Sequence, residues 1–275
     1  GVFYGIKELC RNKKWMDKVG LPTGVEGKTV VVQGLGNVGY HSAKFFRESG
    51  AKIIAIAEYN GSIYNPDGLN EEEVHQHRIK TGSVLDFPGA QNLSNNDQAL
   101  EMECDILIPA ALESVITKEN AGRIKAKIIA EAANGPITVE ADKILNDKGV
   151  VIVPDIYLNA GGVTVSYFEW LKNLSHVRYG RMEKRFMENS NRGLLDHIDK
   201  VTGTKATEDL MDKLAQGPEE VDLVYSGLEE TMISSLNDIL DTLDKHDDLT
   251  SLRTAAFALA IKKIGLAYLE LGVFP

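Results

Sequence analysis

The sequence is poor in cysteine, in net positive charge and in long apolar runs, and each shortage excludes a class of protein. Cys10 and Cys104 are its only cysteines, and they have neither the spacing of metal ligands nor that of a disulfide framework. We expect both to be reduced thiols packed in the interior. No run of about eighteen apolar residues occurs, so no segment of this sequence is predicted to span a membrane.

Acidic residues outnumber basic ones among the 275 residues, which gives a net charge of -10 and a pI near 5.2. A surface with this balance repels phosphate polyanions, so we expect neither a nucleic-acid partner nor an anionic membrane partner. The length and the 43% content of hydrophobic residues are sufficient for one large core with a smaller appendage.

One stretch combines two apolar runs with a glycine-rich turn. The β-branched run from Lys28 to Gln33 leads directly into Gly34-Leu35-Gly36-Asn37-Val38-Gly39. A helical pattern follows from Tyr40 to Ser49, and a second apolar run from Lys52 to Ala57 ends at Glu58. This order of strand, glycine turn, helix, strand and acid is typical of a dinucleotide-binding βαβ unit.

Each glycine of the turn has a mechanical role in that interpretation. Gly34 permits the tight turn, Gly36 lets backbone amides approach a pyrophosphate, and Gly39 lets the helix lie close to the sheet. The phosphates would lie at the helix N-terminus, where unpaired N–H groups favour an anion. Glu58, nineteen positions after Gly39, is placed to accept the hydroxyls of an adenosine ribose. A dinucleotide is the predicted ligand, and methyl transfer from a sulfonium nucleoside is the competing hypothesis.

Three further apolar runs end at residues that would line the same edge of a sheet. They are Asp105–Ile108, Lys127–Ala130 and Val150–Val153. Because the runs alternate with helical stretches, they predict a largely parallel sheet covered on both faces, with its ligand beyond the carboxyl ends. The small residues Ala110 and Ala111 follow the first run, while Asn134 and Asn159 follow the other two. Either asparagine alone suits a plain turn, but together they favour contact with a nicotinamide and its ribose.

The rest of the sequence is predominantly helical. Helices are predicted over 2–18, 70–80, 178–200 and 254–271. Pro218 opens a further long helix whose apolar residues recur every three or four positions. They are Val221, Val224, Leu228, Met232, Leu236, Ile239 and Leu243. We predict a dinucleotide-binding domain over 1–175, completed by a helix within 250–275, and a helical appendage over 176–249.

Several motifs, in the same order along the chain, resemble those of glutamate dehydrogenases, in particular the hexameric animal-type enzymes that carry a helical antenna. They are Gln33–Gly39, Cys104–Ala111, Ala126–Pro136, Asn159–Trp170 and Leu252–Ala256. The resemblance covers essentially the whole chain. It implies a Rossmann-like, doubly wound α/β fold in which 176–249 is an antenna and pivot helix. It also implies oxidative deamination of L-glutamate to 2-oxoglutarate and ammonia, with hydride transfer to NAD or NADP.

The same resemblance implies roles for individual residues. The pyrophosphate would be held by Gly34, Gly36, Asn37, Val38 and Gly39. Glu58 would meet the adenosine ribose, with Ala110 and Ala111 lining the adenine side. Asn134 and Asn159 would hold the nicotinamide end.

The catalytic lysine and aspartate of the family are not identifiable in this sequence. It has no Lys-Gly-Gly motif, and the nearest segment, Lys148-Gly149, leads into a strand. Deamination needs a cation and a general acid or base, so we assign no catalytic residue here. Ser166, which the resemblance places near a substrate carboxylate, is the substrate-binding candidate. We therefore expect the chain to be the cofactor-binding portion of the enzyme, cut at Gly1, and inactive alone.

Tyr59, next to Glu58, departs from the animal enzymes, which carry a small hydroxyl residue there. A carboxylate repels a 2′-phosphate and a tyrosine crowds it, which favours NAD as the preferred cofactor and NADP as the second. Leucine, valine or phenylalanine dehydrogenase and a non-catalytic dinucleotide-sensing domain stay open as alternatives. For the intact enzyme, the resemblance implies a homohexamer acting on glutamate and 2-oxoglutarate, in the mitochondrial matrix or otherwise the cytoplasm.

Overall fold

A computed structural model describes residues 1–175, 181–203 and 219–272, together with single positions between 203 and 219. The described residues form two compact units. One contains Gly1–Gly161 and the chain from Met232 onward, and the other spans Gly162–Thr231. The domain boundaries proposed from the sequence, at 175 and 249, stay a prediction.

Among the described residues, seven strands form one sheet in the first unit. They are β1 (Thr29–Gln33), β2 (Lys52–Glu58), β3 (Gly61–Tyr64), β4 (Gln91–Asn92), β5 (Ile106–Pro109), β6 (Ile128–Ala130) and β7 (Val151–Val153). Their order across the sheet is β4-β3-β2-β1-β5-β6-β7. The five strands from β2 to β7 in that order are parallel, and β3 and β4 add an antiparallel edge. The predicted parallel sheet is confirmed. The strand order reverses at β1, which has β2 on one side and β5 on the other, and this position is the topological switch point of a doubly wound fold.

Helices cover most of the other described residues. They are α1 (Val2–Arg11), α2 (Lys13–Val19), α3 (Asn37–Glu48), α4 (Glu71–Thr81), α5 (Asn96–Leu100), α6 (Lys118–Ala121), α7 (Val139–Asp147), α8 (Asp155–Leu158), α9 (Ala160–Ser175), α10 (Arg181–Thr202), α11 (Glu220–Lys245) and α12 (Leu252–Leu271). Pro218, predicted to open the long helix, lies outside the described residues. In α11, Leu228, Met232, Leu236 and Ile239 of the predicted stripe are buried. No helix in the described part of the chain has the length and apolarity needed to cross a bilayer.

Two local expectations differ from the structure. The helix predicted over 2–18 is divided at Asn12, whose backbone is extended and whose side chain accepts a hydrogen bond from Trp15 N. This bond caps α2, which explains the break. Lys28, expected at the start of β1, lies outside the strand, and its Nζ donates to the backbone oxygens of Pro22 and Gly24 at 2.6 and 2.5 Å.

The sheet is covered on both faces, as predicted. On one face Val31, Leu107 and Ile129 belong to a buried cluster with residues of α5, α6 and α7. Successive residues of a strand point to opposite faces, so Val32 points to the other one, toward α3. Cys10 and Cys104 are free and buried, which confirms that they are packing thiols. Because the strands are packed on both faces, they hold the loops at their carboxyl ends in fixed positions.

Candidate functional site

The glycine turn after β1 packs closely against the segment that follows β5. Gly34 has a φ of +90°, which favours glycine. A Cβ at this position would lie 2.9 Å from the carbonyl oxygen of Ala110 and 3.0 Å from the Cβ of Ala111. The structure thus brings together three residues that the sequence placed at the same edge of the sheet.

The other two glycines of the turn differ in what surrounds them. A Cβ on Gly39 would lie 1.7 Å from the carbonyl oxygen of Gly34, so the turn and α3 have no room for a side chain. A Cβ on Gly36, the N-cap of α3, would meet nothing within 4 Å. Asn37 and Val38, the first residues of the helix, are exposed. This open approach to the N-terminus of a twelve-residue helix is suited to a phosphate anion.

Glu58 lies at the end of β2 with a carboxylate that is 8% exposed. Its Oε1 accepts a hydrogen bond from Leu35 N at 2.5 Å and lies 3.5 Å from Nη2 of Arg78. Its Oε2 takes no part in these contacts. One carboxylate oxygen therefore holds the glycine turn, and the other is the one suited to a ligand hydroxyl. Tyr59, directly beyond it, is 81% exposed.

Arg78 is a residue of this site that the sequence reasoning missed. It lies on α4, and its Nη1 donates to the carbonyl oxygen of Leu35 at 3.1 Å. A polar helix was predicted here and is confirmed, but the periodicity of a helix does not reveal which distant carbonyl a side chain meets. The guanidinium places a positive charge beside the predicted ribose contact, Glu58.

Asn134, in the loop after β6, pairs with Asn159, which is the C-cap of α8 and not part of the turn directly after β7. Nδ2 of Asn159 donates to Oδ1 of Asn134 at 2.6 Å. This bond uses the oxygen of one amide and the nitrogen of the other. The groups that it does not use are a donor on Asn134 and an acceptor on Asn159, which is the complement of a carboxamide.

A charged network links the pair to the start of α12. Arg253 lies 2.7 Å from Glu131, 2.9 Å from Asp142 and 3.5 Å from Asp155. Burial raises the pKa of Glu131, which is fully buried, and Arg253 offsets part of that rise. Burial alone would lower the pKa of Arg253, but hydrogen bonds to Glu131 and Asp142 raise it above its usual range. Glu131 and Arg253 lie within the motifs Ala126–Pro136 and Leu252–Ala256, but nothing in the sequence alone indicated a role for them.

Ser166 is an exposed residue of α9 and belongs to the second compact unit. The other candidate residues all belong to the first unit. Its role at a substrate carboxylate stays a prediction.

The sequence matches the family described as Glutamate/Leucine/Phenylalanine/Valine dehydrogenase over residues 1–213. It is 49% identical over 268 residues to the mitochondrial glutamate dehydrogenase of Dictyostelium discoideum. It is 45% identical over 265 residues to a probable glutamate dehydrogenase of Sinorhizobium fredii. These alignments cover 98% and 96% of this chain but 53% and 60% of the relatives. The chain thus spans little more than half the length of these relatives.

Solved structures show the same architecture. The hetero-hexameric glutamate dehydrogenase from Thermus thermophilus, in its Leu-bound form, matches with a TM-score of 0.73 at 24% identity, over 100% of this chain and 54% of that one. Glutamate dehydrogenase from Peptoniphilus asaccharolyticus matches with a TM-score of 0.64 at 27% identity, over 99% and 54% of the two chains. The predicted fold class is confirmed.

Proposed function

The chain belongs to the glutamate/leucine/phenylalanine/valine dehydrogenase family, and we propose that it is the cofactor-binding portion of a glutamate dehydrogenase. The reaction of the whole enzyme is the oxidative deamination of L-glutamate to 2-oxoglutarate and ammonia, with hydride transfer to a nicotinamide dinucleotide. The observation that carries this proposal is the convergence of the glycine turn, Glu58 and the asparagine pair at one edge of the sheet. The relatives at 45–49% identity, which are named glutamate dehydrogenases, favour glutamate over leucine, valine or phenylalanine as substrate.

Each part of this edge has a task in holding the cofactor, which supplies the hydride acceptor when bound. The N-terminus of α3, reached over Gly36, binds the diphosphate. Oε2 of Glu58 accepts a hydroxyl of the adenosine ribose. Asn134 donates to the oxygen of the nicotinamide carboxamide, and Asn159 accepts from its nitrogen. Ala110 and Ala111 line the adenine side without obstructing it.

The groups that activate water and exchange protons with the substrate are not assigned to this chain. Its sequence has no Lys-Gly-Gly motif, and it spans only 53% and 60% of the two relatives. We expect these 275 residues to bind dinucleotide and to turn over no glutamate by themselves. In the intact enzyme we expect Ser166 to contact the substrate carboxylate, a hexameric assembly, and a mitochondrial location like that in the name of the Dictyostelium relative.

We propose NAD as the preferred cofactor. A 2′-phosphate on the adenosine ribose would approach the carboxylate of Glu58, which repels it, and the exposed ring of Tyr59, which crowds it. The guanidinium of Arg78 lies beside Glu58, but it is already engaged by the Glu58 carboxylate and by the carbonyl oxygen of Leu35. We expect Glu58→Gln to narrow the difference in affinity between NAD and NADP, and Tyr59→Ser to narrow it less. Equal affinity of the unsubstituted chain for both cofactors would contradict this preference.

Calorimetric titration of the chain tests the proposed function. We expect NADH to bind and S-adenosylmethionine, the sulfonium nucleoside of the competing hypothesis, not to bind. Glutamate-dependent formation of NADH, followed at 340 nm, should be absent for the 275-residue chain and present for the full-length protein. Turnover by the chain alone, or binding of the sulfonium nucleoside instead of NADH, would overturn the proposal.

A further inference from the structure

Arg253 occupies a position where a positive charge needs an explanation. It is the second residue of α12, directly after the N-cap Ser251 and Leu252, at the positive end of the helix dipole. Its guanidinium instead reaches three carboxylates on three separate elements. They are Glu131 after β6, Asp142 on α7 and Asp155 at the start of α8. The contacts, and not the helix, account for a cation at this place.

Glu131 depends on this cation. Its side chain is fully buried, and an unpaired carboxylate there would be strongly unfavourable. Both of its oxygens are engaged, Oε1 by Nη2 of Arg253 at 2.7 Å and Oε2 by the backbone N–H of Asp155 at 2.9 Å. Glu131 therefore bridges Arg253 and the first residue of α8, so that the position of one depends on the position of the other.

Asp155 extends the network to the loop after β6. Its Oδ2 accepts a hydrogen bond from the backbone N–H of Gly135 at 2.8 Å, while its Oδ1 lies 3.5 Å from Nη1 of Arg253. Gly135 has a φ of +55° and directly follows Asn134. The backbone conformation that aims the Asn134 side chain is thus held by Asp155.

Two routes from Arg253 meet at the asparagine pair. One passes through Asp155 and Gly135 to Asn134. The other passes through the start of α8 to its C-cap, which is Asn159. The hydrogen bond of 2.6 Å between the two side-chain amides joins the ends of these two routes.

We propose that Arg253 is a positioning residue for the nicotinamide end of the cofactor. It sets Asn134 against Asn159, so that one donor and one acceptor face the carboxamide together. The hydrogen bonds and ion pairs of Arg253 within the described residues go to Glu131, Asp142 and Asp155 and not to either asparagine, so it acts through Glu131 and Asp155. This role rests on the proposed function, because that function supplies the nicotinamide.

Comparison of NADH with ADP-ribose, which lacks the nicotinamide ring, isolates this role. In the full-length protein with Arg253→Met, we expect the affinity for NADH to fall on the order of tenfold and the affinity for ADP-ribose to stay nearly unchanged. Arg253→Lys keeps the charge but lacks the planar fork that bridges several carboxylates, so its loss should be intermediate. The matched control is Arg123→Met, which removes an exposed ion pair with Glu101 and should change neither affinity.

The outcomes separate this role from the proposed function. Equal losses for NADH and ADP-ribose, or no loss, in Arg253→Met would contradict the positioning role. If that variant does not fold, Arg253→Lys provides the same test. A loss of affinity for NADH without a loss for ADP-ribose would support the positioning role, and the absence of such a difference would contradict it. Failure of Asn134→Ala and Asn159→Ala to weaken NADH relative to ADP-ribose would instead contradict the nicotinamide site itself. If those variants lose NADH selectively and the Arg253 variants do not, the site stands and the positioning role fails.

Discussion

Replacement of Gly39 by alanine tests whether the turn and α3 pack as tightly as the structure shows. The new Cβ would lie 1.7 Å from the carbonyl oxygen of Gly34 and 3.3 Å from Cγ1 of Val32. Non-bonded heavy atoms prefer a separation of about 3.5 Å, so the turn would have to move by roughly 1.8 Å. The obstacle is backbone, which cannot rotate away as a side chain can.

Two opposing effects determine the size of the change. Alanine is favoured over glycine inside a helix by about 1 kcal/mol, which alone would stabilise the variant. Overpacking costs about 1–3 kcal/mol and occasionally more, and a backbone obstacle places Gly39→Ala at or above the upper end. The net loss of about 2 kcal/mol corresponds to a decrease of about 4–8 °C in the melting temperature for a chain of this size.

Gly36→Ala is the matched control, since it adds the same methyl group three residues earlier. Its Cβ would meet nothing within 4 Å, and its φ of -77° suits any residue. We expect its melting temperature to change by less than about 2 °C, the cost of a weaker N-cap. Its affinity for ADP-ribose should fall, because the methyl group occupies the approach to the helix N-terminus.

Thermal unfolding followed by circular dichroism, with calorimetric titration of ADP-ribose, measures both effects. An increase in the melting temperature of Gly39→Ala would show that the gain in helix propensity exceeds the cost of overpacking. It would contradict the close contact between Gly39 and the carbonyl oxygen of Gly34. Unchanged ADP-ribose binding by Gly36→Ala would refute the placement of the diphosphate at this turn.

Two further predictions concern buried groups away from the cofactor edge. Burial raises the pKa of Cys10 from 9.0 to about 11 and that of Cys104 from 9.0 to about 12. The unfolded thiols ionise first as the pH rises, so the stability they contribute below pH 9 is lost above it, by up to about 1.4 kcal/mol per pH unit for each thiol. Urea unfolding should therefore show a larger decrease in the free energy of unfolding between pH 8 and pH 10.5 for the unsubstituted chain than for a variant with both cysteines replaced by alanine. Equal decreases in the two proteins would contradict the raised pKa values. Lys28→Met leaves the carbonyls of Pro22 and Gly24 without the Nζ donor and should cost about 1–3 kcal/mol in the same urea assay, whereas an unchanged midpoint would show that water replaces it.

The elements that could be predicted from the sequence are those whose signals are local. The β-branched run of β1, the turn from Gly34 to Gly39 and the acid at Glu58 lie within one βαβ unit, and the sheet around them is confirmed. The short strand β3 was missed because it begins inside a turn signal, Asn60-Gly61, and ends just before another, Asn65-Pro66-Asp67-Gly68. Its pairing with β2 is what makes it a strand. The break at Asn12 was missed because the apolar spacing continues through it.

The parts of the site that escaped prediction depend on contacts between distant residues. Arg78 meets Leu35 across 43 positions, and Arg253 meets Glu131 across 122 positions. Nothing in local periodicity indicates such partners. One usable signal was present: Glu131 directly follows β6 and Asp155 closely follows β7, and acids at the ends of buried strands need a cation nearby.

A crystal structure of the chain soaked with NADH would test the central claim most directly. We predict the diphosphate at the N-terminus of α3, the adenosine ribose at Glu58 and the carboxamide between Asn134 and Asn159. A dinucleotide bound elsewhere, or an edge filled by side chains that exclude it, would contradict the account.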